Sequence, residues 1–282
     1  MSEKGTLYLV ATPIGNLEDI TLRALRALKE VDIIAAEDTR QTIKLLNRFE
    51  IKNTLVSYHE HNKSEKGSQL IQELLGGKNI ALVSDAGCPG ISDPGEDLVK
   101  LAAKEGITVT MLPGPAAVIT GVVLSGLPSG RFSFEGFLPV NKRVRMERLR
   151  SIKNDTRTLV FYEAPHKLIH TLRDLREVMG NRRISMAREL TKIHEEVIRC
   201  TLDEAIEKYE AQAPKGEYVL VLEGEDQEAV EEAKITSWNE ISLEEHLKYY
   251  TDKGMDRKEA LKRVAGDRGI SKREVYNSLL EK

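Results

Sequence analysis

Short apolar, β-rich runs alternate with segments of helical period from residue 6 to residue 223, and this alternation restricts the fold more than any other feature of the chain. Residues 6–14 read as a buried strand, after which Asp19 is expected to cap a helix carrying Leu22, Leu25 and Leu28 on one face. A strand at 32–36 precedes a helix at 39–49. A strand at 54–58 precedes a helix at 64–75 that stops at Gly76-Gly77. A strand at 80–84, a helix at 95–104 and a strand at 108–112 complete the series. Five strands separated by helices predict βαβ units and a largely parallel sheet.

A second series follows Pro113-Gly114-Pro115 and an apolar helix reaching residue 124. Its strands are expected at 132–137, 158–163, 184–188, 196–200 and 218–223, with helices near 143–152, 167–178 and 202–211. The fragments 183–189 and 195–200 have no helix between them, which requires an antiparallel pair and makes this sheet mixed. Beyond Gly224 the composition changes. Residues 226–251 hold seven acids against two bases and read as an acidic linker, whereas 252–282 hold nine bases against six acids. That tail predicts two short helices joined at 266–271, with Leu261, Val264, Val275 and Leu279 in contact, similar to half of a helix-turn-helix module. The expected organisation is an α/β domain at 1–118, a second α/β domain at 119–225, and a small C-terminal module at 226–282.

Three loops leave strand ends in the first series. VSDAGCPGISDPG (83–95) combines flexible glycines with stiff prolines and places Asp85 to meet a polar ligand group. VATPIGNLEDI (10–20) and LPGPAA (112–117) leave the first and fifth strands. Neither a dinucleotide fingerprint nor a phosphate-binding P-loop is present. Each loop alone also reads as an ordinary turn, but adjacent parallel strands would bring the three tips together, where open α/β sheets bind ligands.

Charged residues crowd other strand ends: Glu37, Asp38 and Arg40; His59, Glu60 and His61; Glu163 and His166; Arg188, Glu189, Lys192, His194 and Glu195. Such groups are costly to bury unless paired or functional. Helix capping by Asp38 and ion pairing of Arg40 or Arg188 remain the plain alternatives. Residues two apart on a strand share a face, but the His59/His61 cluster is too thin to predict a metal, and none is expected. Asn141 to Lys153 carries six bases against one acid, which suits either a solvated helix or contact with a phosphate backbone.

Composition narrows the classes. The chain has 282 residues, 40% hydrophobic and 31% charged, which fits a globular protein rather than a disordered one. No uncharged apolar run is long enough for a membrane span, and the charged N-terminus lacks a signal-peptide core. Two cysteines cannot build a disulfide framework, so a cytoplasmic location is expected. A net charge of −3 argues against nucleic acid until its uneven distribution is considered.

The motifs ATPIGNLEDIT, AEDTR, SDAGCPGISDPG, LPGPAA, FEGFLP, FYEAPHKL, ARELTK and GEYVLVLEG occur in this order. Together they resemble the tetrapyrrole methylase (class III) family of S-adenosylmethionine-dependent methyltransferases, and within it the branch acting on bacterial 16S ribosomal RNA. The resemblance implies two α/β domains with S-adenosyl-L-methionine in the cleft between them, a homodimer, and 2′-O-methylation of a cytidine ribose in the decoding region of the small subunit.

Carried over by motif, Pro13, Ile14 and Gly15 form the first cofactor loop, although Ala11, Thr12 and Asn16 depart from the glycine-rich form of tetrapyrrole-methylating relatives. Asp85, Ala86, Gly87 and Cys88 form the second, with Ala86 in place of a proline. Ala116 and Ala117 line the third, and Glu163-Ala164 and Gly216-Glu217 close over it. A ribose hydroxyl is a weak nucleophile and would profit from a base or a cation. Glu37, Asp38, Glu60, Glu163 and Glu189 are candidate bases, and Arg40, Arg143, Arg145, Arg148, Arg188 and Lys192 candidate RNA contacts. A methyltransferase acting on a tetrapyrrole, or a non-catalytic ribosome-binding protein, is the alternative.

Overall fold

The computed structural model describes residues 3–280 and divides into two compact units, Met1–Arg150 with Thr158–Glu223, and Ser151–Arg157 with Gly224–Lys282. Met1, Ser2, Glu281 and Lys282, the last base of the basic tail among them, lie outside the described residues.

In the larger unit, strands β1 (Thr6–Val10), β2 (Ile33–Ala36), β3 (Leu55–Ser57), β4 (Ile80–Val83) and β5 (Thr108–Leu112) form a parallel sheet in the order β3-β2-β4-β1-β5. β2 and β4 are buried at every position because helices cover both faces. The period-two alternation divides them cleanly. Leu7, Ile33, Ala35, Ile80 and Leu82 pack with Leu70, Leu74 and Leu98 on one face, while Val10, Ile34, Ala36, Ala81 and Val83 pack with Ala24, Leu28 and Leu46 on the other.

Those helices are α1 (Leu22–Glu30), α2 (Thr39–Arg48), α3 (Lys63–Leu75) and α4 (Gly95–Lys104). Asp19 does not cap α1. It ends a 3-10 turn, Leu17–Asp19, and Thr21 takes the role, its hydroxyl accepting from the Ala24 N–H at 3.1 Å. β1 also stops earlier than expected. Beyond Val10 the chain turns aside so that Thr12 pairs with Gly87 instead of extending the ladder.

The second sheet has the order β6-β7-β10-β8-β9, from β6 (Phe132–Phe137), β7 (Thr158–Glu163), β8 (Arg183–Arg188), β9 (Glu196–Thr201) and β10 (Tyr218–Leu222). Only β6 and β7 are parallel, and the expected β8–β9 hairpin pairs through six residues, so the sheet is mixed. Helix α5 (Ala117–Ser125) lies so close to it that a Cβ on Gly121 would sit 2.6 Å from Val219 Cγ1. Helices α6 (Lys142–Ile152), α7 (Leu168–Met179) and α8 (Leu202–Ala211) complete the series.

Arg145 of α6 is not a surface cation. Its side chain is 13% exposed and binds the Asp174 carboxylate of α7 at 2.7 Å, while Nη1 donates to the carbonyls of Pro139 and Val140. Mostly buried and committed to these partners, Arg145 serves the packing of α6 on α7, where the sequence suggested an RNA contact.

The smaller unit replaces the expected acidic linker with helices α9 (Gln227–Asn239) and α10 (Leu243–Thr251), followed by the two basic helices α11 (Arg257–Asp267) and α12 (Lys272–Leu280). Acidic composition masked good helix starts. Asp226 caps α9, and Ser242 with Glu245 forms a capping box on α10. Leu261, Val264, Ala265 and Val275 form the core, with Leu279 packed against it. Trp238 stacks on the fully buried His246 at 3.8 Å, and Arg268 Nε donates to His246 Nδ1 at 3.1 Å. Burial, and then the Arg268 charge, lower the His246 pKa against the opposing pull of Asp267.

Replacing Arg145 by Ala leaves the buried Asp174 carboxylate with only the longer Lys142 contact at 3.9 Å and should cost about 3 kcal/mol in urea unfolding; parental stability would contradict a buried pair. Because folding lowers the His246 pKa, the unfolded chain takes up the proton first, and the unit should lose stability as pH falls below about 6.5, the ordinary histidine value. Trp238 is the sole tryptophan, so its fluorescence reports this unit alone. A stability flat in pH from 7.5 to the acid side of that value would refute the assignment.

Candidate active-site cleft

The strand order places β1 between β4 and β5, so their carboxyl ends, with that of β2, lie side by side. The loops after them are joined by backbone hydrogen bonds. Thr12 N–H donates to the Gly87 carbonyl at 2.9 Å and Gly87 N–H to the Thr12 carbonyl at 3.0 Å. Thr12 Oγ1 reaches the Ser84 carbonyl, and Cys88 Sγ the Pro115 carbonyl at 3.6 Å. Gly87 has φ +81°, and a Cβ there would stand 3.4 Å from Ile14. The Asp93 carboxylate accepts from the N–H groups of Gly90 and Gly95, folding the rest of the β4 loop back on itself. Burial, with the nearby Asp93 charge, raises the Cys88 thiol pKa.

The β1 loop also meets the second sheet. Ile14, Ala117 and Val118 pack against the apolar cluster of Val160, Ala187, Leu190 and Val219. Gly15 approaches the β8–β9 loop so tightly that a Cβ would sit 2.5 Å from Lys192 Cγ and 2.8 Å from Thr191 Oγ1. Tyr162 on β7 accepts from the Val118 N–H at 3.2 Å through its hydroxyl, and Phe134 and Phe137 stand edge-on to its ring. Sequence reading passed over Tyr162 in favour of its neighbour Glu163. The period-two alternation of β7, which turns neighbours to opposite faces, was the signal available.

The candidate acids separate by environment. Glu37 is half-buried at the end of β2; burial, then the charges of Asp85 and Asp93, raise its pKa, against the Asp85 N–H and His59. Asp38 beside it caps α2 and takes a two-pronged contact from Arg40, whose hydrogen bonds hold its pKa at about 2. The Asp38 N–H in turn donates to Asp85 Oδ1 at 3.0 Å, tying the β2 and β4 ends together. Glu60 pairs with Lys63. Glu163 is buried, with its oxygens taken by the Ala164 N–H and the Thr171 hydroxyl at 2.8 and 2.5 Å. It braces the start of α7. Burial raises the Glu189 pKa, but the Glu217 N–H and the Lys192 ammonium outweigh it and leave it lowered. Glu189 thus ties Gly216-Glu217 to the β8–β9 loop.

Of the candidate cations, Arg143 pairs with Glu147 on the exposed face of α6, and Arg148 is half exposed against Glu135. Arg40 is open to solvent, Arg188 binds Glu196 at 3.2 Å, and Lys192 bridges Glu189 and Glu217 at 2.9 Å each. Among the described residues no group of three metal-ligating side chains converges, and the His59 and His61 rings lie 6.0 Å apart edge to face. No helix among them is long and apolar enough to cross a membrane.

Solved structures share this architecture at low identity. Diphthine synthase has a TM-score of 0.61 at 16% identity, covering 78% of this chain and 90% of that one. Uroporphyrin-III C-methyl transferase from Thermus thermophilus, complexed with S-adenyl homocysteine, has 0.54 at 20% identity, covering 78% and 98%. Curated relatives are much nearer. The ribosomal RNA small subunit methyltransferase I of Halalkalibacterium halodurans is 54% identical over 98% of this chain and 94% of that protein, and that of Bacillus subtilis 49% identical over 98% and 94%. The Thermotoga maritima protein of the same name is matched along its whole length, at 49% identity, by 79% of this chain. The model of the tetrapyrrole (corrin/porphyrin) methylases matches residues 6–206, and the chain belongs to that family.

Proposed function

We propose that the protein is an S-adenosylmethionine-dependent methyltransferase of small-subunit ribosomal RNA, acting on the 2′-oxygen of a cytidine ribose in the decoding region. The near-full-length match to relatives named for small-subunit ribosomal RNA methylation carries this reading. The converged loops supply a place for the chemistry.

The loops suit the cofactor. Ala86, Gly87, Ala116 and Ala117 offer no side chain beyond Cβ, so a ligand reaches the backbone, and Tyr162 with Phe134 provides an aromatic wall. Pro13, Ile14, Gly15, Asp85 and Cys88 complete the holding set on one side, and Ala164 and Gly216-Glu217 on the other. When bound, S-adenosyl-L-methionine supplies a methyl group made electrophilic by its sulfonium. The chain must then hold the ribose hydroxyl in line and take its proton, and orientation contributes most of the rate. Among the acids Glu37 suits the second task, because burial and neighbouring carboxylates raise its proton affinity while Arg40 suppresses that of Asp38. Arg40, Arg143, Arg148 and Lys192 are assigned to RNA. Ile119 and Val123, one turn apart and exposed on α5, support a homodimer.

Labelled S-adenosylmethionine with small subunits lacking the modification should yield label in 16S RNA at a ribose oxygen. Absence of label there would refute the reading. Glu37→Gln should lower kcat about 100-fold or more with cofactor affinity unchanged. Because the base form is needed and its pKa is raised, the parental rate should fall on acidification at a pH above the ordinary carboxylate range, and the variant should lack that limb. A variant with the parental rate and profile would remove Glu37 from the mechanism.

A further inference from the structure

We propose that a recess behind the β8–β9 loop is a second RNA-binding site, one that grips the phosphodiester backbone of the strand beside the reacting nucleotide. The inference rests on the reading of the substrate as RNA. The recess has a volume of about 490 Å³ and is lined by Arg188, His194, Lys208, Lys215, Tyr209 and Tyr218, together with Glu195 and Glu196.

Its charges are not balanced. Glu196 serves two cations at once, Arg188 at 3.2 Å and Lys208 at 3.6 Å, and Glu195 Oε2 accepts from the Thr191 N–H at 2.6 Å, so Arg188, Lys208 and Lys215 face two carboxylates. Lys215 and His194 stand exposed at the rim. Arg188 Nε is buried without a hydrogen-bond partner, a cost that an anionic oxygen entering the recess would remove. The back wall is made by Tyr209 and Tyr218, buried and set edge to face at 5.8 Å. Cations in front of buried phenols, on a chain whose net charge is −3, suit a phosphodiester better than a metal or a neutral ligand.

The position links the recess to the cleft. Its loop holds two non-glycine residues at positive φ, Glu189 at 50° and Thr191 at 66°. Thr191 and Lys192 meet Gly15 of the first cofactor loop, while Ile193, 97% exposed, and His194 face the recess. A strand held here therefore runs within one loop of the cleft.

The test is the full-length Lys208→Glu/Lys215→Glu variant, compared with the parent and with a Lys29→Glu/Lys104→Glu control of equal charge change. Binding of unmethylated small subunits is measured across a salt series. The recess variant should bind at least tenfold more weakly, with the slope of log affinity against log salt reduced by about one to two. Its affinity for S-adenosylmethionine should equal the parent's, which shows that the variant is folded although the Lys208–Glu196 ion pair is lost, and Lys208→Arg/Lys215→Arg should keep the parental RNA affinity. Equal RNA affinity and slope in the recess variant and the parent, or equal losses in recess and control variants, would overturn the proposal. If the parent itself fails to bind small subunits, the RNA reading falls first, and this site with it.

Discussion

The pairing of Thr12 with Gly87 is the contact on which the rest of the site depends. It is available only because β1 lies beside β4, in an order that consecutive βαβ units produce when three of the four crossovers skip a strand. The two hydrogen bonds satisfy backbone groups that would otherwise be left at the ends of two strands. They also fix where Ile14 and Gly15 emerge. Gly15 can then lie against Thr191 and Lys192, and Ile14 against the core of the second sheet. A cleft that needs groups from both sheets is in this way set by one short bridge.

The electrostatics of the cleft follow from which carboxylates have already been spent on structure. Asp38 is consumed by Arg40 and a helix start, Glu163 by Thr171 and its own loop, and Glu189 by Lys192 and the Glu217 amide. Glu37 stands apart, with acidic neighbours and a half-buried setting that favour proton uptake. The buried Arg145–Asp174 pair follows the same logic in reverse, since a base counted toward RNA turns out to hold α6 against α7.

The sheets were legible because buried parallel strands leave continuous apolar runs and the β8–β9 hairpin leaves no room for a helix. Helix α4 and strands β5, β6 and β7 fall at their expected residues. The Thr21 cap was not legible, because Asp19 and Thr21 are both good caps and only the path of the preceding turn chooses between them. Helices α9 and α10 were hidden by their charge, although the Ser242–Glu245 pattern was there to find. At the site, the convergence of three loops could be argued from strand order, whereas the fate of each charged side chain could not. Whether Arg145 meets water or Asp174 depends on a partner 29 residues away.

Hydrogen exchange with and without S-adenosylmethionine tests the central claim, that these strand-end loops form the cofactor site, most directly. The account predicts added protection at residues 11–16, 84–90 and 113–118, together with 189–192 and 216–217, and little change in helices α11 and α12. Cofactor binding without protection of the first three segments, or with protection confined to other parts of the chain, would contradict it.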